Sequence, residues 1–219
     1  MTKIQIIPGN FKITDPDWPL LDFVASGGTY TSDTMSEDGS LVGAYSDAGL
    51  GGMARQWLTT GDGGWTKQGG IARSTSIGIA GFQPPTADYK TSIKVEEFPN
   101  LGTSLGIANR RSTLVFSGAT EYVEARILTT GYISLVTREG VTIRTIGTLE
   151  TGINLGDTVT LSTFGDSVEV LVNGDVVLSG NTTVAGAGYA VVRTTYDGPD
   201  ARTGAFSDFA ISMERDNEQ

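Results

Sequence analysis

The chemistry open to this chain is limited by its composition, because its 219 residues include neither histidine nor cysteine. Without histidine there are no Ser-His-Asp or Cys-His relays, and the usual zinc sites are missing as well. Without cysteine there are no disulfides and no thiolate nucleophiles. Any catalysis would have to rest on carboxylates, lysine or tyrosine.

Two close pairs of glutamates are the first candidates for acid and base chemistry. Glu96 and Glu97 are adjacent, so on a strand they point to opposite faces, and Glu121 and Glu124 also differ in parity. Two carboxyl groups that hydrolyse a glycoside must face one bond together. Neither pair satisfies this condition, so the sequence predicts no catalytic residues and a protein that is not an enzyme.

Aromatic side chains could instead form a platform for a sugar ring, which stacks on such surfaces. The candidate ligand-binding residues are Trp57, Tyr132 and Tyr196. Tyr196 is the strongest of the three for exposure, because a Gly-Pro turn follows it before the last strand. Trp57 has a second interpretation, in which its ring fills the core, and the sequence leaves both open.

Short alternating runs separated by turn residues must position these side chains. Residues 158–178 predict two successive β-hairpins, and Asn173-Gly174 is typical of a type I′ turn. Strands are also predicted at 104–108, 113–116, 122–127, 131–136 and 206–211. No long window has helical periodicity, so almost no helix is expected. The predicted core comprises Val123, Ala125, Ile133, Leu135, Val159, Leu161, Val170, Val172, Leu178, Val191, Phe206, Phe209 and Ile211.

The charge balance argues against two classes of partner. The chain has 25 acidic and 15 basic residues, a net charge of −10, which repels a phosphate backbone and offers no basic surface to anionic lipid. We therefore expect neither nucleic acid nor a membrane as partner. Acidity of this size also keeps a protein soluble.

The chain divides by pattern into three parts. Residues 1–19 read as an N-terminal arm or strand extension, with a turn at Pro8-Gly9-Asn10; residues 20–213 form one main domain; and residues 214–219 are a charged tail. The first ten residues have no continuous apolar segment, so no signal peptide is expected. The arm could pack on its own domain or on a neighbouring subunit.

Five short motifs in a fixed order carry a family resemblance. They occur at residues 64–72, 105–108, 122–126, 168–174 and 206–211. Their succession resembles that of concanavalin A-like (laminin G-like) jelly rolls, in which such pieces are strands of two facing sheets. The resemblance covers nearly the whole chain and implies an all-β, antiparallel two-sheet jelly-roll sandwich.

The resemblance also raises two questions about sites. Glycosidases with this fold carry a pattern resembling Glu-x-Asp-x-x-Glu on one strand, and that triplet does not occur in the sequence. Many members of the broader family bind calcium, a hard ion that selects oxygen ligands. Asp197, Asp200 and Asp208 are the candidate ligands here, although loop aspartates also form Asx turns. No other cofactor is expected.

The form of the fold most similar to this chain occurs in minor tail and other accessory virion proteins of tailed bacteriophages. The resemblance therefore implies a structural or adhesion component of a virion, made in the host cytoplasm, with other virion proteins and a bacterial cell-surface glycan as partners. A homotrimer is the first expectation, because virion fittings are usually symmetric. A head decoration protein, a free carbohydrate-binding module and a glycan hydrolase remain as alternatives.

Overall fold

The computed structural model describes residues 29–49, 54–60, 64–74, 77–100, 102–115, 118–150, 152–195 and 203–213, and the backbone of 4–7 and 10–13; for 4–7, 10–13, 48–49, 60 and 130 it describes the backbone alone. Their regular secondary structure is all β, apart from a 3-10 turn at Thr129–Gly131. The expectation of an all-β protein with almost no helix is confirmed. In the part of the chain described here, no helix has the length and apolar character needed to cross a membrane.

The strands form a small hairpin and two large antiparallel sheets. The hairpin is β1 (Ile4–Ile7) with β2 (Asn10–Ile13). One large sheet contains β3 (Thr29–Asp33), β4 (Gly39–Ser40), β5 (Ala48–Gly49), β7 (Trp65–Gln68), β8 (Ile71–Ser74), β10 (Tyr89–Glu97), β15 (Thr158–Phe164), β16 (Ser167–Val172), β17 (Asp175–Asn181) and β19 (Ala205–Ser212). The other contains β6 (Leu58–Thr60), β9 (Gly78–Phe82), β11 (Ser104–Arg111), β12 (Glu121–Ile127), β13 (Ile133–Glu139), β14 (Thr142–Leu149) and β18 (Tyr189–Thr195).

Each sheet combines strands that are consecutive in the sequence with strands from distant parts of it. The seven-stranded sheet has the order β14-β13-β12-β11-β18-β9-β6, so β11 lies between β12 and β18. In the ten-stranded sheet β10 lies between β15 and β19. Such crossovers between two facing antiparallel sheets are those of a jelly-roll sandwich, and the predicted fold class is confirmed.

The two hairpins predicted at 158–178 are present as β15, β16 and β17. The second hairpin turns at Asn173 and Gly174, whose φ angles are 53° and 93°. A type I′ turn requires positive φ at both central residues, which Asn and Gly tolerate best. In the N-terminal segment, where the sequence predicts a turn, β1 and β2 form an antiparallel pair. The proposed domain boundaries remain predictions, and residues 214–219 lie outside the described residues.

The space between the sheets is filled by apolar side chains from the inward face of both. Twelve of the thirteen predicted core residues lie in this cluster or pack against it. The prediction for Val191 is wrong in its location. Val191 is buried, but on the opposite face of its sheet beside Ile79 and Ala108, because its neighbours Ala190 and Val192 occupy the inward positions of β18.

The strand predicted at 113–116 is also wrong over its described part. Strand β11 ends at Arg111, and residues 112–115 leave the sheet as an irregular segment. Leu114 then packs against the outward side of the seven-stranded sheet, on the small cluster that contains Val191. Leu114 therefore covers a sheet face and does not extend the sheet.

The sandwich core is expected to be intolerant of charge at Val170, which is fully buried in β16. Substitution V170D places a carboxylate without a partner among apolar side chains, which should cost at least about 4 kcal/mol of unfolding free energy. The matched control is V176D on the adjacent strand, where the valine is 53% exposed. Urea denaturation should show a folded V176D and an unfolded or strongly destabilised V170D; similar stability for both would contradict this core.

A second prediction concerns the hydrogen bond between the side chains of Asn173 and Asp157. Asn173 Nδ2 donates to Asp157 Oδ1 at 2.7 Å, and the backbone N–H of Asn154 donates to Oδ2 at 2.7 Å. These two hydrogen bonds lower the pKa of Asp157 below its ordinary 3.8. Because the folded-state pKa is lowered, the stabilisation is present above pH 3.8 and is lost as pH falls through the folded value.

The substitution N173G keeps the positive φ of the turn and removes the side-chain donor. Its expected result is a rise in the Asp157 pKa toward 3.8, followed by NMR through the carboxyl carbon of Asp157 during an acid titration. An unchanged Asp157 titration in N173G would show that the Asn173 hydrogen bond does not set this pKa.

Candidate ligand-binding site

The outward face of the seven-stranded sheet carries a polar cluster at its centre. Alternation along β12 sends Val123 and Ala125 into the sandwich core, so Tyr122, Glu124 and Arg126 lie on the opposite face. We call this side of the sheet the outer face.

The strand register brings two arginines together across a glycine. Gly106 of β11 is directly opposite Arg126 of β12 on one side and opposite Arg193 of β18 on the other. A side chain at Gly106 would stand between the two guanidinium groups. Its absence leaves a gap one residue wide in the outer face.

The carboxylate of Glu124 occupies that gap. Its Oε2 accepts hydrogen bonds from Arg126 Nη2 at 2.8 Å and Arg193 Nη1 at 3.2 Å. The Glu124 side chain is fully buried, and its Oε1 has no hydrogen-bond partner in the structure. An ideal Cβ placed on Gly106 would be 2.5 Å from that oxygen, so the position of the carboxylate depends on glycine here.

A β-bulge brings a third arginine to the same face. One extra residue in β11 between Ala108 and Arg111 shifts the register against β18, and Arg110 within it has a φ of 54°. The extra residue restores Arg111 to the outer face opposite Tyr189. Arg111 then lies with its guanidinium 5.5 Å from the ring centre of Tyr122, and Arg193 lies 5.7 Å from the same ring.

The charged side chains of this cluster act on one another. Burial, and next the charge of Arg193, lower the pKa of Arg111 to about 10. The Glu124 carboxylate has the opposite effect on Arg126, whose pKa it raises. In the described part of the chain, Arg126 and Arg193 both form ion pairs with Glu124, and Arg111 lies close enough to Arg193 and Glu124 for their charges to act on it.

One end of this cluster opens into a depression of about 410 Å³, which we call the outer-face pocket. Arg126 and Arg193 form one wall, and the Arg126 side chain is 28% exposed. Beyond them Ser104 and Thr195 face each other across β11 and β18, with their hydroxyl oxygens 2.8 Å apart. The remaining lining comes from Gly102, Thr103, Leu128 and Thr129.

Apolar residues close the other end of the outer face. Leu114 and Tyr189 pack on Ile79, Ala108 and Val191. At the opposite end, a ligand in the outer-face pocket would meet guanidinium and hydroxyl groups together.

The structure places Trp57 in the sandwich core. Its exposure is 2%, and its ring lies 4.4 Å from that of Phe82 and 4.9 Å from that of Phe209. Its Nε1 donates to the buried Asp33 Oδ2 at 2.7 Å, and Lys67 Nζ is 3.6 Å from the same oxygen. Trp57 therefore presents no ring face to solvent.

The other predicted site residues are not brought together in the described structure. Tyr132 is half-buried and directly follows the 3-10 turn whose Thr129 lines the outer-face pocket. Asp208 is exposed on β19 of the other sheet. Tyr196, Asp197 and Asp200 lie outside the described residues. Within the described ranges, no group of three acidic side chains is placed to hold a metal ion.

The Glu124 cluster was missed from the sequence, although one signal was present. Tyr122, Glu124 and Arg126 alternate with the apolar Val123 and Ala125, which already indicates a polar outer face on this strand. Arg193 lies 69 residues away and joins them only through strand order.

Comparison with known proteins identifies the fold. No family model and no curated protein sequence matches the chain. The catalytic domain of an endo-1,3-beta-glucanase (laminarinase) from Thermotoga petrophila RKU-1 superposes with a TM-score of 0.57 at 9% identity, over 87% of this chain and 99% of that one. The chain has the concanavalin A-like jelly-roll fold.

Two further structures support this assignment of the jelly roll. A prokaryotic beta-1,3-1,4-glucanase (lichenase) from a mouse hindgut metagenome has a TM-score of 0.54 at 12% identity, over 83% of this chain and 99% of that one. The exoplasmic/lumenal domain of VIP36, in a Ca2+/Man-bound form, has a TM-score of 0.53 at 9% identity, over 78% and 89%. At these identities the likeness concerns the fold alone.

The contact between Gly106 and Glu124 is testable by a double-mutant cycle. In the wild type, G106A should lower the unfolding free energy by about 1 to 3 kcal/mol, because the new methyl group displaces the Glu124 carboxylate. In an E124A background the methyl group has room, and alanine is the better strand residue by about 0.5 to 1 kcal/mol. Urea denaturation should therefore show a neutral or stabilising G106A in that background; an equal cost in both would contradict the contact.

Proposed function

We propose that this protein is a non-enzymatic glycan-binding protein and that the outer-face pocket is its binding site. The observation that carries the proposal is the convergence of two guanidinium groups, Arg126 and Arg193, with the hydroxyls of Ser104 and Thr195 around one depression. Sugars are recognised through several directed hydrogen bonds of this kind, and Leu128 adds apolar contact beside them.

The fold gives this proposal its context. The laminarinase and lichenase neighbours are glucanases, and the VIP36 domain is in a Ca2+/Man-bound form. A shared jelly roll does not transfer these activities. It supports carbohydrate as the class of ligand proposed for the outer-face pocket.

Binding is favoured over hydrolysis by the way Glu124 is engaged. A glycosidase uses two carboxyl groups about 5 to 9.5 Å apart that face the scissile bond from opposite sides. Glu124 Oε2 accepts hydrogen bonds from two arginines and the side chain is fully buried. A carboxylate held in this way orients arginines and does not itself approach a glycosidic oxygen.

The virion setting is proposed on the sequence resemblance. In that setting the protein is an adhesion component of a phage particle, most simply a minor tail protein, whose outer-face pocket meets a bacterial surface glycan. Other virion proteins as partners, a trimeric assembly and the alternative of head decoration belong to the same proposal. Calcium at Asp197, Asp200 and Asp208 is a separate proposal, which the comparison of binding with and without the ion tests.

The binding proposal is tested on a glycan array and on intact bacterial cell walls, with and without calcium. We expect saturable binding to at least one glycan, and a loss of roughly tenfold or more in affinity for R126Q, because a charge-assisted hydrogen bond contributes about 1.5 to 3 kcal/mol.

The matched control for R126Q is R73Q. Arg73 also pairs with a glutamate, Glu97, but on the other sheet, so R73Q should bind like the wild type. Thermal unfolding of both variants separates lost binding from lost folding. Equal weakening by both variants, an absence of all glycan binding, or release of reducing sugar from a bound glycan would contradict the proposal.

A further inference from the structure

The outer-face pocket is lined by two cationic side chains and by several uncharged hydrogen-bonding groups. Its described charged lining residues are Arg126 and Arg193, both cationic, and the polar remainder is a set of hydroxyls and backbone groups. Glu124 lies behind the two guanidinium groups with no exposed surface of its own. A ligand in the pocket would therefore meet the arginines first and the carboxylate only through them.

A third arginine lies close to these two. Arg111 lies on the same face with its guanidinium 5.5 Å from the ring centre of Tyr122, and burial, and next the charge of Arg193, lower its pKa. These guanidinium groups have the Glu124 carboxylate in common. A carboxylate of a ligand in the pocket would add a second anionic group beside Arg126 and Arg193.

We propose that the outer-face pocket selects acidic glycans, and that it binds the carboxylate of a uronic acid residue against Arg126 and Arg193. This inference rests on the proposed glycan-binding function and specifies its ligand class. The planar guanidinium group matches a carboxylate in geometry and forms two parallel hydrogen bonds with it. The hydroxyl groups of Ser104 and Thr195, which also line the pocket, form hydrogen bonds with the hydroxyl groups of the sugar ring in this proposal.

Glu124 acts in this proposal as a positioning residue. Its Oε2 bridges Arg126 and Arg193 and fixes the separation of their guanidinium groups. Its negative charge also weakens the attraction of the pocket for an anion. The two effects oppose each other, and a substitution that preserves shape while removing charge separates them.

The ligand class is tested with oligomers of galacturonate, glucuronate and mannuronate, each measured beside its own methyl ester. Esterification removes the charge and leaves the sugar otherwise unchanged. Isothermal titration of the full chain should show at least tenfold tighter binding of one acid than of its ester. Neutral oligosaccharides on the same array serve as the reference for glycan binding in general.

The variant series identifies the pocket. R126Q and R193Q should each abolish the preference for the acid over its ester. E124Q should bind the acid about three- to tenfold more tightly than the wild type, because a like charge has been removed without a change of shape. If E124Q does not fold, R126Q alone decides the point, since the Arg126 side chain is 28% exposed. R73Q on the other sheet should keep the wild-type preference.

The outcomes distinguish the acidic specificity from the glycan-binding function on which it rests. Equal binding of acid and ester, or binding of neutral glycans alone, overturns the acidic specificity and leaves the proposed glycan-binding function standing. Binding of no glycan of either kind overturns both. A strong loss of acid binding in E124Q, with its fold intact, would show that removing the negative charge of Glu124 does not strengthen the site, and would overturn the proposed selection by the positive charge of the arginines.

Discussion

The alternation of side chains along β11, β12 and β18 is the constraint on which both the core and the pocket depend. Each of these strands sends every second residue into the sandwich, where apolar burial supplies about 1.5 to 3 kcal/mol for each larger side chain. The residues between them must then be accommodated on the outer face. Packing there cannot be apolar throughout, because Arg126 and Arg193 flank Gly106 in the register that the core imposes.

The outer face has charged side chains at one end and apolar side chains at the other. A buried carboxylate is costly unless donors surround it, and Glu124 is tolerated because Arg126 and Arg193 both reach it. Leu114 covers the opposite end after the chain leaves β11. The hydrogen bonds that stabilise the buried Glu124 carboxylate also hold Arg126 and Arg193 beside the outer-face pocket. The stability of the sheet and the positive charge of the pocket therefore depend on the same residues.

Local features of the fold could be predicted from the sequence, and contacts across the sheets could not. Asn173-Gly174 determines its turn through backbone conformation alone, and the alternating runs around it determine the hairpins. The partnership of Glu124 with Arg193 depends on β11 lying between β12 and β18, which no local pattern encodes. The bulge at Arg110 likewise reverses the face on which Arg111 lies. The burial of Trp57 depends on tertiary packing against Phe82 and Phe209, which the local sequence does not encode.

The most direct test of the account follows the arginine side chains themselves during a titration with an acidic oligosaccharide. In NMR spectra of the guanidinium N–H groups, the signals of Arg126 and Arg193 should shift together and saturate at one ligand concentration, while that of Arg73 on the other sheet stays in place. Saturable binding that moves other residues and leaves Arg126 and Arg193 unchanged would contradict a site on the outer face.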